Sequence, residues 1–429
     1  MRKWATFFLL CILIYSIPYQ LFSQIQRFPK PEFESGYVVP TPTTPHPRQD
    51  IYEYLDVAVL IIALSLASYL ALKKRSRNGI FLLTLFSLLY FGFWKKGCVC
   101  AIGSIQNISM AVFDHTYIIP ITVIAFFTIP LLFTLFFGRT FCAAVCPLGM
   151  IQDVVILKPM KIPPWLQKVL GFIPHIYLGL AVLLAAYGAD FIICRYDPFV
   201  GFFRFDAGFP MLLFGAFLLI GGIFVARPYC RFLCPYGVIL NWISRLSKHH
   251  VTITPTDCIQ CRLCENSCPF GAILTPTPEK PPEGRSIERK RLAVLLAILP
   301  ILVIGGSYMG SRLHTPLSQI HNTVQLAERV RLEELGKVQD TILQSETFQQ
   351  SGKPLAQLYS EAALIKNQFK RGSTFFGGFI GLAFGSVLIG LSVRRKRRDY
   401  TPDRATCFSC GRCFSYCPVG KKESSKNKK

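Results

Sequence analysis

The chain has 429 residues, of which 51% are hydrophobic and only 17% are charged, and its mean hydropathy is +0.39. This composition excludes an ordinary soluble domain and a disordered chain, and it is typical of a protein that crosses a membrane several times. The net charge of +23 does not indicate nucleic-acid binding, because the basic runs flank apolar segments, as the cytoplasmic loops of membrane proteins do.

Eight apolar runs approach the length of about 20 residues that a bilayer-spanning helix needs. They are 4–23, 55–73, 79–94, 117–137, 170–190, 209–226, 292–310 and 373–393. If each run crosses once, the basic runs all lie on one side, which is the cytoplasmic side. The sequence therefore predicts an α-helical polytopic membrane protein of about eight spans. The first run is interpreted as an uncleaved anchor, and a cleaved signal peptide is the alternative.

Two cysteine motifs carry the strongest chemical signal. `CIQCRLCENSCP` begins at Cys258 and `CFSCGRCFSYCP` begins at Cys407, and both have the C-x2-C-x2-C-x3-C-P spacing of bacterial ferredoxins. The first three cysteines can wrap one [4Fe–4S] cubane, and the fourth, which precedes proline, ligates the other. The predicted ligand sets are therefore crossed: Cys258, Cys261, Cys264 and Cys417 for one cluster, and Cys407, Cys410, Cys413 and Cys268 for the other.

A second cysteine pattern occurs three times. The turns share a register in which Cys100, Cys146 and Cys234 align, as do Gly103, Gly149 and Gly237, and Gln106 aligns with Gln152. In two copies the cysteines are paired one helical turn apart, before a proline that breaks the helix. These pairs are Cys142 with Cys146 and Cys230 with Cys234. The four thiols could hold a further cluster or metal, form a redox-active dithiol, or simply pack where helices turn.

The third copy is predicted to lie on the opposite side of the membrane. Its Cys98 and Cys100 could converge with Cys194 as three soft metal ligands, and a disulfide between Cys98 and Cys194 is the alternative. Asp190 and Asp197 flank Cys194 and are interpreted as solvated loop residues. Cysteine turns at the ends of successive spans would form an electron wire through the bilayer, whereas duplication of a two-span unit is the simpler explanation.

Three further features complete the prediction. His175 is the one histidine clearly inside a span and is a candidate quinone contact, or it caps backbone. Residues 311–371 have helical spacing broken by `QQSGKP`, which predicts a helical hairpin outside the membrane. That hairpin could be a cap on the membrane domain or a docking site for a partner. No sequence signature for nucleotide binding and no candidate catalytic residue is found.

The predicted domain boundaries follow from these features. Residues 1–54 are an anchor span with a Pro/Thr-rich outside segment. Residues 55–250 are the membrane core with the repeated cysteine turns. Residues 251–273 are the first half of a split cytoplasmic 2[4Fe–4S] ferredoxin domain, and 274–291 are a linker. Residues 292–393 are two spans that enclose the hairpin, and 394–429 are the second ferredoxin half with a basic tail.

The Cys-x3-Cys-Pro turns at 142–147 and 230–235, the `CRYDPF` segment and the ferredoxin motifs resemble the NapH/NosR group of membrane polyferredoxins. That resemblance implies a bacterial inner-membrane protein that transfers electrons between cytoplasmic or quinone-pool donors and a periplasmic reductase, as a subunit of a respiratory oxidoreductase system. Residues 24–50 carry no flavinylation signature, so a separate flavin- or haem-bearing partner is expected. The alternatives are a maturation factor that reduces metal or thiols for a respiratory enzyme, and a redox sensor.

Overall fold

The computed structural model describes residues 49–97, 100–253, 258–277, 285–338, 342–392 and 397–419. The predicted span at 4–23, almost all of the Pro/Thr-rich segment and Cys98 lie outside these residues. In the described part, the chain is mainly helical and contains one two-stranded sheet.

Long apolar helices dominate the described chain, as the run lengths predict. Five have the length and composition to cross a membrane: Ile51–Lys73, Arg77–Trp94, Trp165–Ala186, Arg289–Arg312 and Leu355–Ser392. Two shorter apolar helices are Ile121–Phe137 and Phe209–Phe224. Seven of the eight predicted runs thus contain an apolar helix in the described residues. The first two long helices finish as π-helical segments, Tyr69–Lys73 and Leu88–Trp94, and the third comprises Pro164–Leu170 and Ile173–Ala186.

Short helices connect the long ones and carry the cysteine turns. They are Ser104–Phe113, Thr140–Ala144, Pro147–Val154, Ile192–Arg195, Val200–Arg204, Pro228–Phe232 and Pro235–Ser244. Pro147 and Pro235 occupy the first helical turn, where a missing N–H costs no hydrogen bond. Cys146 and Cys234 precede these prolines as extended N-cap residues. The prediction that each cysteine pair lies on one helix end is therefore wrong. The first cysteine of each pair lies within a short helix, and the second lies two residues past its end, as the N-cap of the next helix.

The last two long helices, Arg285–Arg312 and Leu355–Ser392, pack closely against each other. A methyl group added at Gly306 would collide with the backbone carbonyl of Gly377, and the reverse is also true. Glycines let membrane helices approach at such short range. Between the two helices lie His314–Ser318, Asn322–Glu334 and Leu343–Gln350. The start of the 38-residue last helix packs on Asn322–Glu334 around a small apolar core.

The two predicted ferredoxin halves form one unit. Strand Ile273–Leu274 pairs antiparallel with strand Thr401–Pro402. The short helices Leu263–Ser267 and Arg412–Tyr416 pack nearby. The rings of Phe270 and Phe408, one from each half, have centroids 4.8 Å apart. Segments that are far apart in the sequence thus meet in one small domain.

Candidate cluster-binding sites

Cavity A lies in the ferredoxin unit and has an empty volume of about 300 Å³. Its four cysteines are Cys258, Cys261, Cys264 and Cys417. Three come from the first motif and the fourth from the second. Ile253, Tyr400 and Val419 complete its apolar wall.

Cavity B lies beside it, with an empty volume of about 330 Å³, and its cysteines are Cys268, Cys407, Cys410 and Cys413. The structure thus brings together the two crossed sets that the motif spacing predicts. Cys268 and Cys417 each follow directly on a short helix and have an extended backbone conformation. The chain therefore leads away from the first three cysteines of each motif at this residue. Each crossing therefore follows from local geometry.

The two motif loops share an unusual backbone conformation. Gln260 and Ser409, at equivalent positions, have φ values of 51° and 53°. The next equivalent pair, Arg262 and Gly411, has φ values of 59° and 78°. Non-glycine residues adopt this left-handed region rarely and at an energetic cost. Both motif loops therefore turn through left-handed residues at the same two positions.

Cavity C is the site that the repeated turns build, with an empty volume of about 310 Å³. Its cysteines are Cys142, Cys146, Cys230 and Cys234, and its wall includes Ile102 and Arg139. Three of the sulfurs accept hydrogen bonds, and that of Cys142 accepts from Nη2 of Arg139. The backbone N–H of Gly237 donates to Cys234 Sγ over 3.3 Å, and Gln152 Nε2 donates to Cys230 Sγ over 3.4 Å.

The donor chemistry of all three cavities fits an iron–sulfur cluster. Each cavity offers four thiols. Thiolate ligands select soft metals and iron–sulfur clusters over hard cations such as magnesium or calcium. Across the described residues, no three His, Cys, Asp or Glu side chains lie close enough together to hold one metal ion.

A buried charge network lies beside cavity C, where Arg227 donates to the carbonyl of Cys142. Arg227 is fully buried, and its Nε lies 3.4 Å from Oδ1 of Asp153. Arg77 and Arg412 also contact this carboxylate, at 3.3 and 3.5 Å. Burial alone would raise the pKa of Asp153, but the three guanidinium groups outweigh it and hold the pKa below its usual value. Asp153 is therefore held as an anion that fixes three cations around it.

Arg139 connects cavities B and C. It lines cavity C, and its Nη2 lies 3.8 Å from Cys142 Sγ. Its guanidinium also stacks over the ring of Phe408, 4.4 Å from the centroid, and Phe408 lines cavity B. Arg139 further donates to the carbonyl of Ala405 over 3.1 Å. One buried side chain thus contacts the walls of both cavities.

The third cysteine turn lies beside cavity C. Cys194 Sγ lies 3.2 Å from where a Cβ would stand on Gly103, three residues after Cys100. Burial raises the pKa of the Cys100 thiol to about 12, and the charges of Asp197 and Cys194 add to the shift. The structure therefore brings Cys100 and Cys194 together, whereas Cys98 lies outside the described residues.

Asp197 corrects one sequence interpretation. It is 7% exposed and not a solvated loop residue, because Oδ1 accepts hydrogen bonds from the backbone N–H groups of Phe199 (2.9 Å) and Val200 (3.2 Å). Burial raises the pKa of this carboxyl to about 6, against the lowering effect of those two bonds. Asp190, in contrast, pairs with Arg195 at 3.0 Å, with most of the Arg195 side chain exposed.

Sequence reasoning did not identify Gln152 and Asp153 as functional residues. Their signal was present, because Gln152 aligns with Gln106 in the repeated turns. The candidate quinone contact, His175, packs against Phe172 and Trp242 at centroid distances of 5.9 and 6.0 Å. It is not among the residues that line cavities A, B and C.

Family models match both parts of this architecture. A model described as a 4Fe-4S binding domain matches residues 119–172 and 207–254, which contain all four cysteines of cavity C. Another model, also described as a 4Fe-4S binding domain, matches residues 251–274, which contain the first ferredoxin motif.

Curated relatives agree with these models. Protein NirI of Paracoccus denitrificans is 30% identical over 224 residues, which are 47% of this chain and 32% of NirI. Regulatory protein NosR of Stutzerimonas stutzeri is 25% identical over 254 residues, 51% of this chain and 33% of NosR. Methylamine utilization ferredoxin-type protein MauN of Paracoccus denitrificans is 27% identical over 153 residues, 34% of this chain and 54% of MauN.

The alignments therefore span about a third of NirI and NosR and about half of MauN. No solved structure matches the chain. The family models, these relatives and the long apolar helices together support a NapH/NosR-like membrane protein with 4Fe-4S binding domains.

Proposed function

We propose that the chain carries electrons across a bacterial inner membrane, between a cytoplasmic or quinone-pool donor and a periplasmic redox partner that bears flavin or haem. The observation that carries the proposal is the succession of three similar cavities, each lined by four cysteines. They lead from the ferredoxin unit into the cysteine turns between the apolar helices. Iron–sulfur clusters, when bound, supply one-electron carriers whose potential the surrounding protein sets.

The proposed ligands are the cysteines that line each cavity. Cavity A would use Cys258, Cys261, Cys264 and Cys417; cavity B would use Cys268, Cys407, Cys410 and Cys413; and cavity C would use Cys142, Cys146, Cys230 and Cys234. The match of a 4Fe-4S family model to the segments of cavity C favours a cluster there over a redox-active dithiol or packed thiols.

The buried arginines have a role in this proposal. Four thiolates in a buried site bring negative charge that is costly to remove from water unless cations lie nearby. Arg139 lines cavity C and stacks on Phe408 of cavity B, and Arg227 lies 5.6 Å from the same ring centroid. These side chains supply positive charge between the two cavities and keep water out of the gap.

Contacts of a basic loop support a cytoplasmic position for the ferredoxin unit. Arg75, in the basic run after the first long helix, donates to the carbonyls of Thr252 and Ile253 over 2.8 and 2.6 Å. Its guanidinium also lies 5.3 Å from the ring centroid of Phe414. The ferredoxin unit therefore packs on a positively charged helix end, and such ends favour the cytoplasm.

The first test is the iron and acid-labile sulfide content of anaerobically purified protein, together with EPR spectra. Wild type is compared with a Cys146→Ala, Cys234→Ala double variant. A Cys11→Ala variant, which changes the cysteine of the first apolar run and leaves all twelve proposed ligands in place, serves as the control. We expect wild type to hold more iron than two cubanes require, and the double variant to lose one cubane while keeping the ferredoxin signals.

Two results would contradict the proposal. If wild type and the double variant both hold only two cubanes, cavity C contains no cluster and the electron path stops in the ferredoxin unit. The maturation-factor alternative would then be favoured. If the clusters are present but cannot be reduced from one side and oxidised from the other in sealed proteoliposomes, the chain does not carry electrons across the membrane.

A further inference from the structure

The turn at Cys100 reproduces one half of cavity C in detail. In cavity C, Oε1 of Gln152 accepts a hydrogen bond from the backbone N–H of Tyr229 over 3.0 Å. In the third turn, Oε1 of Gln106 accepts from the backbone N–H of Ile193 over 3.0 Å and from that of Cys194 over 3.3 Å. Gln152 thus fixes the backbone of the residue before Cys230. Gln106 likewise fixes the backbone of Cys194 and of the residue before it.

The side-chain amides of the two glutamines differ in one respect. Nε2 of Gln152 donates to Cys230 Sγ. Gln106 is fully buried, and its Nε2 has no hydrogen-bond partner among the described residues. An unpaired buried donor costs about 1–3 kcal/mol, so such groups call for a physical reason. A sulfur atom at the third turn would give Gln106 the partner that Gln152 already has.

Asp197 occupies the position of the last cysteine in the repeat. The segment from Cys194 reads `CRYDPF` and the segment from Cys230 reads `CRFLCPY`, so that Asp197-Pro198 corresponds to Cys234-Pro235 when a one-residue gap is placed after Tyr196. Cys234 Sγ accepts from the N–H of the third residue on, Gly237, and Asp197 Oδ1 accepts from the N–H of the third residue on, Val200. The carboxylate of Asp197 thus accepts a backbone hydrogen bond at the same sequence spacing as the sulfur of Cys234.

The third turn is in contact with cavity C. The backbone N–H of Ile102 donates to Cys100 Sγ over 3.3 Å, and the side chain of Ile102 lines cavity C. A cluster bound at Cys100 would thus be the next electron carrier after cavity C. Cys100, Cys194 and Asp197 all lie outside the ranges that the family models match.

We propose that Cys100, Cys194 and Asp197 form a fourth site, site D, which binds an iron–sulfur cluster through two thiolates and one carboxylate. The inference extends the proposed electron path and rests on it. Gln106 is a positioning residue, because it fixes the backbone of Cys194 and offers Nε2 to a cluster or ligand sulfur. The carboxylate distinguishes site D from the all-cysteine cavities, since a hard oxygen ligand alters the electronic properties of an iron site.

The test uses full-length protein purified anaerobically in detergent, with iron and sulfide analysis, EPR and mass spectrometry of alkylated thiols. The variants are Cys100→Ser, Cys194→Ser and Asp197→Asn. Asp190→Asn is the matched control, because Asp190 lies in the same segment but pairs with exposed Arg195. The signals of cavities A, B and C in each sample report whether the variant folds.

We expect wild type to hold iron beyond three cubanes. Each cysteine variant should lose that excess and one EPR signal, while Asp197→Asn should shift or abolish the same signal and Asp190→Asn should change nothing. Gln106→Leu should move the potential of that signal with the iron retained. Site D is excluded if wild type holds no such excess or if Cys194 is recovered in a disulfide. Loss of iron only in the Cys146→Ala, Cys234→Ala variant would support cavity C and exclude site D.

Discussion

Arg227 and Asp153 form an ion pair in which neither side chain is more than 2% exposed, and the pair stands between the cysteine turns and the ferredoxin unit. Arg227 also donates to the carbonyl of Cys142, and its guanidinium lies 5.6 Å from the ring centroid of Phe270. The pair therefore contacts both parts of the protein. Buried pairs of this kind tolerate joint replacement better than the loss of one partner.

Asp153→Asn should destabilise the protein by about 3–5 kcal/mol, because it leaves buried Arg227 without its counter-ion. The measurement is the thermal unfolding midpoint in detergent. Asp190→Asn is the control, since its partner Arg195 is 65% exposed and such pairs contribute about 0–1 kcal/mol. An Asp153→Asn, Arg227→Met double variant should lose less than the sum of the single variants. Equal losses for Asp153→Asn and Asp190→Asn would contradict this prediction.

The same carboxylate should make stability depend on acid. The arginines lower the pKa of Asp153 in the folded chain below the unfolded value of about 3.9. The contribution of the Asp153 carboxylate to the stability of the folded protein is therefore complete above about pH 4. It is lost as the pH falls through the lower folded pKa. The difference in unfolding midpoint between wild-type and Asp153→Asn apoprotein should be constant between about pH 5 and 7 and shrink at about pH 3. If the difference in unfolding midpoint grew as the pH fell, the folded pKa of Asp153 would be raised and not lowered.

Gln152→Leu should lower the midpoint potential of the cavity C cluster. The variant removes the hydrogen bond to Cys230 Sγ, and hydrogen bonds to sulfur are one of the factors that set cluster potentials. A shift of about 60 mV corresponds to about 1.4 kcal/mol for a one-electron couple. Redox titration followed by EPR measures it, with exposed Gln319→Leu as the control. An unchanged potential would mean that the amide serves only to hold the backbone of Tyr229.

The glycine contact between the last two long helices gives a matched pair of variants. Gly306→Ala should destabilise their packing by about 1–3 kcal/mol, because the added methyl collides with the Gly377 backbone. Gly305→Ala should be neutral or slightly stabilising, because nothing lies within 4 Å of its added methyl and alanine favours helix. Limited proteolysis of the segment between the helices compares the two. Equal sensitivity of both variants would show that the contact is not tight in the membrane.

The crossed cysteine sets could be read from the sequence because the spacing of each motif determines them locally. The repeat also predicted that Cys142, Cys146, Cys230 and Cys234 meet. It could not predict how they meet. The spacing suggested two cysteines on one helix, whereas in the structure a new helix starts at Pro147 and at Pro235, directly after the second cysteine of each pair.

The burial of Asp197 could not be predicted from the sequence, for a different reason. Its burial depends on contacts between segments that are distant along the chain, which bring Cys194 and Gln106 together. An isolated Asp in a loop is more often solvated than buried, so composition favoured the wrong interpretation. The correspondence of Asp197-Pro198 with Cys234-Pro235, which needs a one-residue gap, carried the missing signal.

The split ferredoxin unit has a consequence for how the protein is made. Each cavity takes its fourth cysteine from the other motif, so Cys268 and its neighbours emerge from the ribosome long before Cys417. At about 5–20 residues per second, the delay is on the order of ten seconds. During that time the chain between the two motifs is made, including the helices Arg285–Arg312 and Leu355–Ser392, and the first motif has an incomplete set of thiols. Neither four-cysteine set can be complete until the second motif has been made and has folded onto the first.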